Sequence, residues 1–168
     1  QEDIVVTSDL SGAEGVAALN VLTASTTGVV TASISGTTQE LAQLQRHEGG
    51  ATNAYTVTAT DSGTIAASDL KLIIDAIDPA LGTVSAGDAS AVSGSAQDIQ
   101  DVLHNDQISL SGSETVVVTD ATVAATAISD IAANTLDGSA IDVSAMTALT
   151  GTDATITNAI NDLDNRSY

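Results

Sequence analysis

Ser35-Gly36-Thr37-Thr38-Gln39-Glu40-Leu41, Ser93-Gly94-Ser95-Ala96-Gln97-Asp98-Ile99 and Thr150-Gly151-Thr152-Asp153-Ala154-Thr155-Ile156 are three versions of one phrase. Their glycines are almost evenly spaced along the chain, and the phrases align without a gap. Five residues after each glycine comes a large aliphatic, Leu41, Ile99 or Ile156; eight after it comes Leu44, Val102 or Ala159. A shared phase at a near-constant period is the mark of an internal repeat. The hydroxyl that follows each glycine is placed to accept an orphan backbone N–H, so each phrase predicts a helix start. Thr37 with Glu40 has the spacing of a capping box, and Ser95 with Asp98 imitates it.

Upstream of each phrase the same order recurs. Val57-Thr58-Ala59-Thr60-Asp61 leads to Ile65-Ala66-Ala67, Val118-Thr119-Asp120 leads to Val123-Ala124-Ala125, and Val6-Thr7-Ser8-Asp9 leads to Val16-Ala17-Ala18. A Leu/Ile pair at helical spacing follows: Leu19 and Leu22, Leu70 and Ile73, Ile128 and Ile131. The β-branched runs Ile4 to Thr7, Tyr55 to Thr58 and Thr115 to Thr119 read as strands, and Val30, Val84 and Val143 mark a second strand in each unit. Ala-rich amphipathic helices of two to four turns are expected between them. The chain thus divides into repeats at 3–52, 53–113 and 114–165, each made of two similar strand-helix halves. Coils of about 25 to 30 residues are the size of solenoid repeats, in which no coil buries its apolar face alone. The expected fold class is α/β, a solenoid with a parallel sheet. A compact doubly wound α/β domain is the alternative.

Composition narrows the function. Neither Cys, Trp nor Phe occurs, and Tyr55 and Tyr168 are the only aromatics. The core must therefore be built from Ala, Val, Ile and Leu, without the large rings that usually close a ligand pocket. Three basic residues against 22 acidic ones give a net charge of −19. That balance argues against nucleic acid and anionic membranes, which need a cationic face. No apolar run reaches the roughly 20 residues of a membrane-spanning helix. No nucleophile elbow, phosphate loop, dinucleotide fingerprint or zinc-protease helix occurs, so the expected protein is not an enzyme.

Val-Thr-Asp, Val-Ala-Ala, the Leu/Ile pair, Thr26-Thr27-Gly28-Val29-Val30 and Leu149-Thr150-Gly151-Thr152 resemble the long tandem repeats of giant cyanobacterial cell-surface proteins, including those associated with swimming motility. The resemblance covers nearly the whole chain. It departs at the loop from Arg46 to Thr52 and at an insertion from Gly87 to Val92. It implies an exported, surface-located structural or adhesive protein without catalytic residues or a cofactor. Separately, because the end coils carry no polar capping unit, neighbours stacked head to tail are expected, either further repeats or other copies.

Asp9, Asp61 and Asp120 recur after the first strand of each unit. They are expected to turn the chain into its helix by accepting backbone N–H bonds, and they are also the candidate calcium ligands. His47 and His104 follow Gly36 and Gly94 at nearly the same distance and form a weaker candidate metal pair with Glu48 and Asp106. Glycan binding is a further reading of the acidic loops. A row of Thr7, Thr58 and Thr119 would suit a virus-derived fibre or an ice-binding face. Self-repulsion at this charge predicts that salt raises the melting temperature. Sodium and calcium compared at equal ionic strength separate screening from binding: identical shifts would dispose of a specific calcium site.

Overall fold

The computed structural model describes residues 2–46, 53–135 and 139–166. Each helix among the described residues is entered from a strand, which divides them into six strand-helix segments. In the first, β1 (Ile4–Val5) and β2 (Leu10–Ser11) lead to α1 (Gly12–Ser25). In the second, β3 (Val30–Gly36) leads to α2 (Thr38–Leu41), and in the third, β4 (Asn53–Ala59) and β5 (Thr64–Ala66) lead to α3 (Ala67–Ala76). The fourth runs β6 (Thr83–Ser85), β7 (Ala91–Gly94) and α4 (Ala96–Leu103). The fifth runs β8 (Ile108–Ser109), β9 (Thr115–Val118), β10 (Thr122–Ala124) and α5 (Ala125–Asn134). The sixth runs β11 (Ile141–Asp142), β12 (Ala148–Thr150) and α6 (Asp153–Asp164).

The fold is mixed α/β with parallel sheets. One sheet has the order β1-β3-β4-β6-β8, with β2 also on β3; a second has the order β11-β9-β7-β5; β10 pairs with β12. Every pairing among the described residues is parallel. A parallel neighbour needs a crossover, and the helices supply it. Partners accordingly lie one segment apart, as Val30 does from Asn53 and Thr56 from Thr83.

The register stacks like on like. Leu10, Ile34, Val57, Val84 and Ile108 form one inward rung across the first sheet, and Ile65, Val92, Val116 and Ile141 form another across the second. Val57, Val84 and Val116 are at most 1% exposed, as are Leu19, Leu41, Leu70, Ile73, Ile99, Ile128 and Ile131 from the helices. The one large ring in this core, Tyr55, is buried with its hydroxyl 2.6 Å from Thr23 Oγ1. Burial raises the Tyr55 pKa. Asn53 beside it donates to the carbonyls of Gln45 and Ala76, so both buried polar groups are satisfied.

Along each rung the helices start progressively later. On the first sheet the stretch from rung residue to next helix runs Leu10 to Gly12, Ile34 to Thr38, Val57 to Ala67, Val84 to Ala96 and Ile108 to Ala125, each longer than the one before. On the second it runs Ile65 to Ala67, Val92 to Ala96, Val116 to Ala125 and Ile141 to Asp153, and lengthens in the same order. Helix starts therefore drift along the sheets from segment to segment. Strand neighbours are about 4.8 Å apart whereas helices pack at about 8–10 Å, a mismatch that such a drift eases.

Two local expectations change. Val143 falls just beyond β11, which ends at Asp142. The second helix is a single turn, because Asn20 of α1 takes the Gln43 carbonyl and the Gln45 N–H and draws the chain out of the helix. The capping box of Thr37 and Glu40 forms as its spacing predicts, and Ser95 accepts the Asp98 N–H.

Leu41 and Ile99 are buried in equivalent places, while Ile156 is half-buried at the last helix. Ile99→Ala should lose about 2–5 kcal/mol in urea unfolding through transfer and cavity costs. Ile156→Ala should lose clearly less. Equal losses would show that the two sites are not in the relation described.

Candidate functional site

Two of the three recurrent aspartates meet helix starts, but of the preceding segment. Asp61 Oδ2 accepts the backbone N–H of Thr38 at 2.7 Å, the first residue of α2; Asp120 Oδ2 accepts that of Ala96 at 2.6 Å, the first residue of α4. Each carboxylate thus sits on the positive end of a helix that starts 23 or 24 residues earlier in the chain, and satisfies one orphan donor. The sequence expectation that these residues turn the chain into their own helix is corrected: they fasten one segment to the one before it. The signal was the near-constant spacing from helix start to aspartate, which matches the strand register.

Asp9 is out of step. Ile4, Val57 and Val116 are equivalent by their pairings with Val30, Val84 and Ile141. Asp61 and Asp120 lie four residues after theirs, Asp9 five after Ile4, so Ser8 holds the matching position. Asp9 is exposed, and its carboxylate has no hydrogen-bond partner among the described residues.

The landmark glycines have a related role. A Cβ on Gly94 would lie 2.9 Å from the Cβ of Ala67, the first residue of α3, and one on Gly151 would lie 3.3 Å from that of Ala125, the first residue of α5. The backbone entering each even-numbered helix crosses the start of the helix before it, at Gly94 so closely that a side chain would clash and at Gly151 in a tight contact.

On the outer face of the first sheet, Ser11, Ser35, Thr58, Ser85 and Ser109 stand in register, and Ser33, Thr56 and Thr83 form a second row. Asp9 borders the groove between Ser33, Ser35, Thr56 and Thr58. The expected Thr7, Thr58 and Thr119 row does not form, because Thr58 faces Ser35 and Ser85, and the Thr119 N–H is held by the Gly94 carbonyl.

Polar side chains also join neighbouring helices. Lys71 of α3 contacts Asp98 at 2.8 Å and Asp101 at 2.7 Å on α4. These bonds hold both carboxyls below the ordinary carboxylate range and raise the Lys71 pKa. Gln100 of α4 donates to Asp130 of α5, and Arg166 donates to the Ala132 carbonyl. His104 ends α4 and lies 3.4 Å from Asp130. His47 and Glu48 lie outside the described residues. Among the described residues no three His, Asp or Glu side chains converge as a metal centre. Comparison with family models, curated proteins and solved structures finds no match.

Asp61→Ala and Asp120→Ala should each cost about 0.5–2 kcal/mol, the usual worth of a helix cap. Asp9→Ala removes the same charge without a bond and should cost under about 0.5 kcal/mol. Urea unfolding of the three variants separates the bond from the charge, and equal effects at all three sites would refute the fastening role.

Proposed function

We propose that the chain is a structural repeat module of an extracellular surface array, a solenoid of six strand-helix coils that extends and covers and whose neighbours continue it end to end. The observation that carries this reading is the aspartate cap between consecutive segments, made twice with the same geometry and nearly the same reach along the chain. Such a bond belongs to a repeated interface between coils. A compact doubly wound domain has the same α/β content with parallel sheets. Nothing in that architecture calls for partners at a near-constant offset, or for the drift of helix starts on the first sheet to recur on the second. The low-complexity resemblance to cyanobacterial surface repeats supports an exported location. The serine and threonine rows give the array a polar, hydrated flank, and the net charge of −19 keeps it apart from other acidic surfaces.

Modularity is testable by excision. Deleting residues 57–115 joins Thr56 to Val116, which is equivalent to Val57 by register. A solenoid then loses two coils and re-forms the same rungs, since each coil touches only its neighbours. The shortened chain should melt cooperatively with unchanged helix content per residue by circular dichroism. Loss of cooperative melting would favour the doubly wound domain, whose central strands such a cut destroys.

A further inference from the structure

The six segments alternate between two kinds. In the odd ones the helix follows directly on a short strand, at Gly12, Ala67 and Ala125; in the even ones a glycine precedes a hydroxyl cap, at Thr37, Ser95 and Thr152. An even segment is followed by an odd one twice within the chain, where β3 and α2 meet β4 and where β7 and α4 meet β9. Both junctions share three contacts. The residue two before the landmark glycine pairs with an inward aliphatic, Ile34 with Val57 and Val92 with Val116. The glycine carbonyl accepts the N–H of Thr60 or Thr119, and an aspartate caps the even helix.

The first and last segments carry the two halves of this junction, still separate. At one end is an even segment with Leu149, Gly151 and the start of α6; at the other is an odd segment with Ile4, Val6 and the Ser8-Asp9 turn. Leu41 and Ile99 are buried at the internal junctions, whereas Ile156, which has their place in α6, is only half-buried, and Ile160 beside it is 49% exposed. At the opposite end Val5 is 66% exposed. β1 donates the N–H groups of Ile4 and Val6 toward β3, to Val29 and Thr31, which leaves the Val5 N–H on the outer edge.

We propose that a second copy of this chain docks head to tail on the α6 end and remakes the internal junction, with its Ile4 opposite Leu149, its Val6 opposite Gly151, and its Ser8-Asp9 turn capping the backbone N–H of Asp153. The inference rests on the solenoid reading, and its occupant follows from continuity: the junction needed is one the chain already makes twice. Six segments alternate in phase, so an odd head follows an even tail without a mismatch, and a contact of this kind propagates as a filament. Both ends are acidic, with Glu2, Asp3 and Asp9 at one and Asp153, Asp162 and Asp164 at the other. Association therefore depends on screening.

Sedimentation velocity and electron microscopy on the intact chain, from about 0.01 to 1 M sodium chloride, test this, since the screening length falls from about 30 to 3 Å over that range. Unbranched oligomers that lengthen with salt and protein concentration are expected. Val5→Pro removes the outward N–H without touching the bonds to β3 and blocks the head; Ile156→Glu blocks the tail. Each variant alone should be monomeric, and an equimolar mixture should stop at dimers, because it contains one working head and one working tail per pair. Circular dichroism establishes that both variants are folded; if one is not, Thr7→Pro, which removes the N–H facing the Gly151 carbonyl, or Ile160→Glu replaces it. A wild-type chain that stays monomeric at every salt concentration overturns the proposal, as do variants that assemble like wild type. Neither result touches the solenoid reading, which stands or falls on the excised chain.

Discussion

Helices cannot be packed as closely as hydrogen-bonded strands, and the rest of the structure follows from that mismatch. Strands in a parallel sheet repeat at about 4.8 Å, while even Ala-rich helices need about 8 Å between axes. Here the difference is met in two ways. Helix starts slip along the rungs from segment to segment, so that β4 pairs with β3 near one helix and with β6 far from the next. Where two helix starts still crowd together, a glycine lies across the first residue of the earlier helix, as Gly94 does over Ala67.

The first N–H groups of α2 and α4 face the next segment. Those donors need an acceptor, and Asp61 and Asp120 supply it from the following segment. The cap is therefore a packing device as well as a local satisfaction of the helix end. Further along the helices, Lys71 with Asp98 and Asp101, and Gln100 with Asp130, tie neighbours together at half-exposed positions where each bond is individually weak. Two of the three basic residues, Lys71 and Arg166, are used in such links. The acidic excess that remains is spread over the surface. It sets the charge of the molecule more than its shape.

Among its described residues, a chain held together in this way carries polar grooves such as the one that Asp9 borders. Its distinctive surfaces are the hydroxyl rows on the first sheet and the two end faces. The rows arise because an inward aliphatic rung, Leu10 to Ile108, forces its neighbours one residue later, Ser11 to Ser109, to face outward in the same register. Surface and core are thus written by one periodicity. At the α6 end, Ile156 has the aliphatic character of Leu41 and Ile99 without their burial.

By itself the sequence determined the repeat, the alternation of β-branched runs with Ala-rich helices, the capping box at Thr37 and the apolar identity of Leu41, Ile99 and Ile156, because each is a local pattern or a comparison of aligned phrases. It also marked the three aspartates as recurrent. What Asp61 and Asp120 bind, and that Asp9 is out of step with them, only the tertiary structure decided, since the acceptor and its donor lie 23 or 24 residues apart and the register between segments is fixed by strand pairing. The single turn of α2 was hidden for the same reason: Asn20, far away in the chain, ends it. The expected Thr7, Thr58 and Thr119 row failed because equal motif positions do not share a rung when helix starts drift along the sheet. Local chemistry is legible in order along the chain; contacts between segments depend on the sideways slip that helix thickness imposes on a closely spaced sheet.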